Sequence, residues 1–176
     1  YACRYGNFET AKRIFEENKE IDIHTNNEEV FRCVCQNNHL QLAKWLIDIS
    51  KNNKINIHIH NEFIFRSACI RNSLEIAKWL YEISRNEDFG IINIHAENNF
   101  AFRFACKYGY LEIVKWLYEI SKKEMDIRIF VESFYDVYIS NNVEIVKWIF
   151  ETINYKINIH GGDEYIFRHV CALGHY

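Results

Sequence analysis

Apolar and polar residues follow one helical pattern that recurs along the chain. In residues 111–120, LEIVKWLYEI, the polar positions Glu112, Lys115 and Glu119 are spaced i, i+3 and i+7, and all other residues are apolar. So narrow a polar stripe predicts a helix that neighbouring elements cover on several sides. The same stripe recurs at Gln41/Lys44/Asp48, Glu75/Lys78/Glu82 and Glu144/Lys147/Glu151.

A shorter helix is predicted before each of these long helices. In residues 97–109, the positions Phe102, Ala105 and Cys106 are spaced i, i+3 and i+4 and form one face. Small side chains on that face let a second helix approach closely, so the pattern predicts antiparallel helix pairs joined by tight turns. A Gly or Asn that can adopt the left-handed helix C-cap follows the short helices, at Gly6, Asn38, Asn72, Gly109 and Gly174.

A third segment links each long helix to the next short one. It reads IDIH up to His24 and INIH up to His58, His95 and His160, and MDIR up to Arg128 in the fourth copy. Its alternating β-branched residues predict an extended conformation. Lys-Trp pairs recur with the same spacing, at Trp45, Trp79, Trp116 and Trp148. Together these signatures indicate that the chain is one array of repeats. We expect partial repeats at 1–24 and 161–176, and full repeats at 25–58, 59–95, 96–128 and 129–160 of a longer array.

These motifs resemble the ankyrin repeat. Residues 102–117, FRFACKYGYLEIVKWL, are similar to that family's pattern L-H-x-A-A-x-x-G-H-L-E-I-V-K-x-L. The family's Thr-Pro is missing, and its His is replaced by Arg at Arg32, Arg66, Arg103 and Arg168. The resemblance implies an all-α solenoid of antiparallel helix pairs with short extended or hairpin loops. The tetratricopeptide repeat has a similar period but fits less well, because its usual Pro is absent and the extended link has no place in it.

Composition narrows the function classes. The chain has 176 residues, 49% of them hydrophobic, and a formal charge of −3. It has no long apolar run and no basic cluster in its sequence, so we expect neither membrane nor nucleic acid as a partner. It also lacks Pro and is rich in Ile, Asn, Lys, Tyr and Phe. This usage resembles ankyrin arrays of giant amoebal (mimivirus-like) viruses, which implies location in the host cytoplasm or the virion.

Cysteine and histidine recur in register, which favours structural roles. Five cysteines share one repeat position and therefore lie one repeat apart, so they cannot converge on one metal ion; they are Cys3, Cys35, Cys69, Cys106 and Cys171. The recurring His residues are interpreted either as loop residues bonded to neighbouring backbone or as a proton-sensing ladder, which Arg128 would interrupt. No nucleophile–base pair or phosphate loop is present. We therefore predict no catalytic residue, no metal, no cofactor and no enzymatic activity.

Partner recognition is expected at positions that differ between repeats. The ankyrin resemblance implies that these are the hairpin tips and the exposed end of the short helix, which line a concave surface. Tyr and Arg, which are enriched at interface hot spots, occur among them. The predicted protein-binding residues are Arg4, Tyr5, Gln36, Asn37, His60, Glu62, Arg71, Glu97, Asn99, Lys107, Tyr108, Ile129, Phe130 and Val131.

The fourth full repeat departs from the others in residues 128–140, RIFVESFYDVYIS. Ile129, Phe130 and Val131 stand where other repeats place His, Asn and Glu. An exposed apolar tip would mark a contact with a partner or an adjoining repeat. The alternative is local repacking with Phe130 folded inward, and the sequence leaves both open.

We favour a non-catalytic scaffold that binds a protein partner on its concave face, of viral origin and acting on host proteins. The alternative is a structural component of a viral particle or homo-oligomer, which self-associates through its ends or through residues 128–140. A third hypothesis makes the array a targeting arm of an enzyme whose catalytic domain lies outside these residues.

Overall fold

All regular secondary structure in the described part of the chain is helical, which confirms the predicted all-α fold class. The computed structural model describes residues 1–18, 20–121, 125, 129–130, 133, 137 and 142–153. The chain divides into two compact units, Tyr1–Ala101 and Phe102–Tyr176. The helices are α1 (Phe8–Glu17), α2 (Thr25–Gln36), α3 (Leu40–Ile49), α4 (Ile59–Ile70), α5 (Leu74–Ser84), α6 (Ala96–Tyr108), α7 (Leu111–Ile120) and α8 (Val143–Ile153).

The helices α2 to α7 follow one another as pairs, and we call α2, α4 and α6 the first helices and α3, α5 and α7 the second helices. In the unit Tyr1–Ala101, α2 packs on both α3 and α4, and α4 packs on α5. The second helices keep the predicted polar stripe at the surface, where Lys44 and Lys78 are exposed. Their opposite faces are buried, as Leu46 and Leu80 show at 1% and 0% exposure.

Each first helix opens with three residues of left-handed backbone. In α4 these are His60, Asn61 and Glu62, with φ values of 49°, 54° and 63°. Residues 26–28 of α2 and 97–99 of α6 adopt the same conformation. Asn tolerates this region better than most residues, which explains why Asn occupies the middle position of all three turns. The extended link was only partly predicted, because it ends in a turn at Ile57 and His58, where His58 has φ and ψ values of −93° and 4°, and no strand forms in the described residues.

The first helices end as the sequence predicts. Asn72 has a φ of 59°, and the Ser73 backbone N–H donates to the carbonyl of Ala68 at 2.9 Å. This bond closes a Schellman motif, so the second helix starts one residue after the turn. The other left-handed caps in the described residues are Gly6, Asn38 and Gly109, with φ values of 72°, 61° and 81°.

The core of each unit is built from the recurring Phe and small residues. In the first unit Phe31, Phe65, Cys35 and Cys69 are all 0% exposed. In the second unit Phe102 and Cys106 are 1% and 0% exposed, beside Ile113, Val114 and Leu117 of α7. The predicted packing role of the cysteines at 35, 69 and 106 is confirmed by this burial.

Trp45 and Trp148, two of the recurring Trp residues, pack edge-on against aromatic rings of the preceding repeat. The Trp45 ring lies 5.9 Å from Phe8 and 5.6 Å from Phe15, centroid to centroid. In the second unit, the Trp148 ring lies 5.5 Å from Tyr118 at an interplanar angle of 81°. Such edge-to-face pairs stabilise packing beyond simple burial. They account for Trp at a position that is only partly buried.

Candidate functional site

A buried carboxylate anchors each left-handed turn of the first two full repeats. In α4, the Nδ1 atom of His58 lies 2.9 and 3.0 Å from the two carboxylate oxygens of Glu62. The backbone N–H of Asn93, in the next link, donates to the same carboxylate at 3.2 Å. In α2, Glu28 accepts in the same way from His24 and from the backbone N–H of Asn56. The carboxylate thus ties a turn to the following link.

His58 makes a second polar contact. Its Nε2 atom lies 2.6 Å from the carbonyl oxygen of Phe89. A carbonyl oxygen and a carboxylate can only accept, so the form of His58 that satisfies both contacts is the imidazolium, in which both ring nitrogens donate. Burial lowers the pKa of His58, but its bonds to Glu62 and to the Phe89 and Gly90 carbonyls outweigh burial and raise the pKa above its ordinary value.

The arginines at the family's His position brace the same turns. In α4, Arg66 donates from Nε to the carbonyl of Asn61 at 2.8 Å and from a terminal nitrogen to the carbonyl of His60 at 2.9 Å. Its guanidinium also lies over the Phe100 ring, 5.0 Å from the centroid. Arg32 repeats part of this arrangement, since it donates to the carbonyl of Asn26 at 3.1 Å and its guanidinium lies 5.8 Å from the Phe63 ring centroid. Each arginine therefore joins its own turn to an aromatic ring of the next repeat.

An open cleft of about 570 Å³ lies in the first unit. It unites four of the predicted binding residues, which come from three successive repeats: Arg4, Gln36, Asn37 and Arg71. Two further charged residues line it, Arg32 and Glu29, and sequence reasoning did not include them in the site. The recurrence of Arg at the position of the family's His could have pointed to Arg32. Nothing in the sequence distinguished Glu29 from other acidic residues.

The exposure of the predicted binding residues largely agrees with a surface role. Tyr5 and Tyr108 are 74% and 52% exposed, which is unusual for aromatic side chains. The other exposed members are Arg4, Asn37, His60, Arg71 and Glu97, and the half-buried ones are Gln36, Lys107 and Ile129. Val131 lies outside the described residues.

Three predicted binding residues are buried, so the expected exposure of Glu62 and Asn99 was wrong. Glu62 and Asn99 are 7% and 8% exposed, because each is the third residue of a left-handed turn and faces its own His. Phe130 is 3% exposed, with its ring centroid 5.7 Å from those of Phe102 and Tyr118. The inward alternative for Phe130 is therefore the observed one.

An aromatic and cationic cluster lies at the end of α6 in the second unit. The rings of Tyr108 and Tyr110 are stacked at 6.0 Å, and Tyr108 also lies 5.9 Å from Phe104. The ammonium group of Lys107 lies 5.5 Å from the Phe104 centroid. The exposed Tyr108 is of the aromatic kind that is enriched at protein–protein interfaces.

The cysteines of the described core are packing residues. Burial raises the pKa of the Cys35 and Cys69 thiols well above the ordinary value, so both stay protonated and unreactive. Within the described residues, no three His, Cys, Asp or Glu side chains are grouped to share a metal ion. No helix in this part of the chain is long and apolar enough to span a membrane.

Comparison with protein-family models matches the chain to ankyrin repeats, through a model of three copies. The matches cover residues 1–91 and 31–130, and together they span about three quarters of the chain. A search of curated proteins found no match. The family thus rests on both the repeat geometry and the model match, whereas the likeness to viral arrays stays a prediction.

Proposed function

Since the chain belongs to the ankyrin-repeat family, we propose that it is a non-catalytic scaffold that recognises a protein partner through the exposed ends of its first helices. Ankyrin repeats are general protein–protein interaction modules, and proteins built from them are typically interaction scaffolds without catalytic activity. In that family arrangement the exposed ends and tips line a concave face, which is the face we propose for binding.

The exposure of Tyr5 and Tyr108 carries this proposal. Tyr108 is the last residue of the first helix α6, and Tyr5 occupies the equivalent repeat position in the turn before α1. The two residues are 52% and 74% exposed, whereas the recurring Phe31, Phe65 and Phe102 are buried. Tyr supplies a large, amphipathic contact area at low conformational entropy cost, and it is enriched at interface hot spots. The bonds made by Glu28, Glu62 and the turn arginines hold the neighbouring tips in one conformation, which lowers the entropy cost of binding.

The partner proposed is a host protein met by a viral chain in the host cytoplasm or the virion. What supports this origin is the sequence alone: the absence of Pro, the abundance of Ile, Asn, Lys, Tyr and Phe, and the recurring Lys-Trp pair.

Site-specific photo-crosslinking tests the proposal. A photoreactive phenylalanine is introduced at Tyr5 or Tyr108 and, as controls, at the exposed second-helix positions Lys44 or Lys78. Each variant is irradiated in amoebal lysate, and crosslinked proteins are identified by mass spectrometry. We expect the same protein to be captured from both tyrosine positions and from neither lysine position.

Equal capture from the lysine positions would contradict the proposal, because recognition would not then be confined to the first-helix ends. Crosslinks only to copies of the chain, together with a mass that grows with concentration in light scattering, would instead establish the structural, self-associating alternative. A concentration-independent monomer mass is the outcome that we expect.

A further inference from the structure

We infer that the cleft in the first unit binds an acidic segment of the protein partner, with the side chains of Arg4 and Arg71 as its carboxylate receptors. The inference rests on the proposed function and adds the chemistry of the recognised segment. It concerns one cleft within the unit Tyr1–Ala101, whose residues come from three successive repeats.

The charge of the cleft contrasts with that of the chain. Three arginines line it, Arg4, Arg32 and Arg71, against a single acid, Glu29, while the whole chain carries a formal charge of −3. The positive charge is therefore concentrated here by the fold, since the three arginines are far apart in sequence. A local field of this sign attracts and orients an acidic ligand.

The two outer arginines are available to a ligand. Arg4 and Arg71 are exposed, and neither guanidinium forms an ion pair or hydrogen bond with any described residue. Arg32 is already engaged, because it donates to the carbonyl of Asn26 at 3.1 Å and lies over Phe63. Arg32 therefore contributes fixed positive charge at the wall, whereas Arg4 and Arg71 can each form paired hydrogen bonds with a carboxylate.

The remaining lining suits a peptide. Gln36 and Asn37 also line the cleft and can donate to or accept from a peptide backbone. The volume of about 570 Å³ lies within the range of roughly 300–1,000 Å³ typical of ligand sites. Three arginines are fewer than the roughly 6–10 phosphate contacts on which tight nucleic-acid binding rests. The cleft thus favours a short run of Asp or Glu over a nucleic acid.

Selection from a display library of random linear peptides tests this inference. The unmodified chain is compared with the variants Arg4→Glu and Arg71→Glu. The matched control is Arg85→Glu, because Arg71 and Arg85 are both exposed C-cap residues, of α4 and α5, and only Arg71 lines the cleft. Circular dichroism and thermal melting verify that all variants fold.

We expect peptides selected by the unmodified chain and by Arg85→Glu to be enriched in Asp and Glu, and those selected by Arg71→Glu not to be. In fluorescence anisotropy, the best acidic peptide should lose about tenfold in affinity with Arg71→Glu or Arg4→Glu and less than about twofold with Arg85→Glu. Its affinity should also fall as salt shortens the Debye length.

Three results would overturn the inference: peptides without acidic enrichment, an equal loss with Arg71→Glu and Arg85→Glu, or random single-stranded DNA that binds more tightly than the best peptide. Failure here is distinguishable from failure of the proposed function. Crosslinking from Tyr5 and Tyr108 to one protein would still establish a recognition scaffold whose partner binds without an acidic segment.

Discussion

Two regions of the molecule occupy the same place in the repeat and are stabilised by opposite means. In the first unit, residues 60–62 form a left-handed turn whose buried Glu62 accepts hydrogen bonds from His58 and the Asn93 backbone. In the second unit, Phe130 occupies the repeat position that Asn61 occupies in the first unit. Its ring is buried against Phe102 and Tyr118. One tip depends on charge-assisted hydrogen bonds and the other on aromatic packing, so the two should respond differently to substitution and to pH.

The substitution Phe130→Ala is expected to have the largest effect. Removing a buried aromatic side chain typically costs about 3–5 kcal/mol, through lost burial and the cavity left behind. Hydrogen exchange of the amides of Leu111–Ile120 should accelerate accordingly. Ile129→Ala, at a half-buried neighbour, is the control and should change exchange little. Unchanged protection in the Phe130 variant would show that its ring does not stabilise this tip.

Glu62→Gln should have a smaller but still clear effect on the first unit. The substitution keeps the size of the side chain but removes the charge that faces the His58 imidazolium, so we expect a loss of about 2 kcal/mol in the free energy of unfolding. Urea denaturation monitored by circular dichroism measures this loss. Glu75→Gln, on the exposed face of α5, is the matched control and should stay within about 0.5 kcal/mol of the parent chain. Equal midpoints for the two variants would contradict the anchoring role of Glu62.

The smallest expected effect is a pH dependence of stability, which we expect from the turn at residues 60–62 and not from the tip at Phe130. The pKa of His58 is raised in the folded chain, so its stabilisation is fully present below the unfolded value of about 6.5 and is lost as pH rises through the folded pKa. The thermal midpoint should therefore fall more between about pH 6 and pH 8 in the parent chain than in His58→Gln. His60→Gln, an exposed histidine in the same turn, should leave the slope unchanged. A slope that His58→Gln does not reduce would refute this assignment of charge.

The elements that repeat were predictable because their causes are local. The caps at Asn38, Asn72 and Gly109 follow from residue types that accept left-handed backbone, and the buried faces follow from helical spacing. The turn at residues 60–62 was not predicted, because its third residue is held partly by the backbone of Asn93, 31 residues further on.

The site was predicted less completely than the fold. The position of each residue within its repeat correctly predicted that Arg4, Asn37 and Arg71 are exposed. The same reasoning predicted an exposed Glu62, which is buried, because the repeat position alone does not determine the direction of the side chain. The positive charge of the cleft was not predicted either. It arises because the fold brings together arginines from three repeats, whereas the net charge of the whole chain is −3.

The hydrogen bonds of Glu28 and Glu62 give the array a direction. Each carboxylate is bonded to a His at the end of the preceding repeat and accepts from a backbone N–H near the end of its own repeat. Cutting the chain after His58 leaves both partners of Glu28 in place, whereas starting it at the next residue removes His58 from the buried Glu62. A fragment of this protein is therefore better trimmed from its carboxyl-terminal side, and a new repeat is better grafted where its predecessor supplies the His.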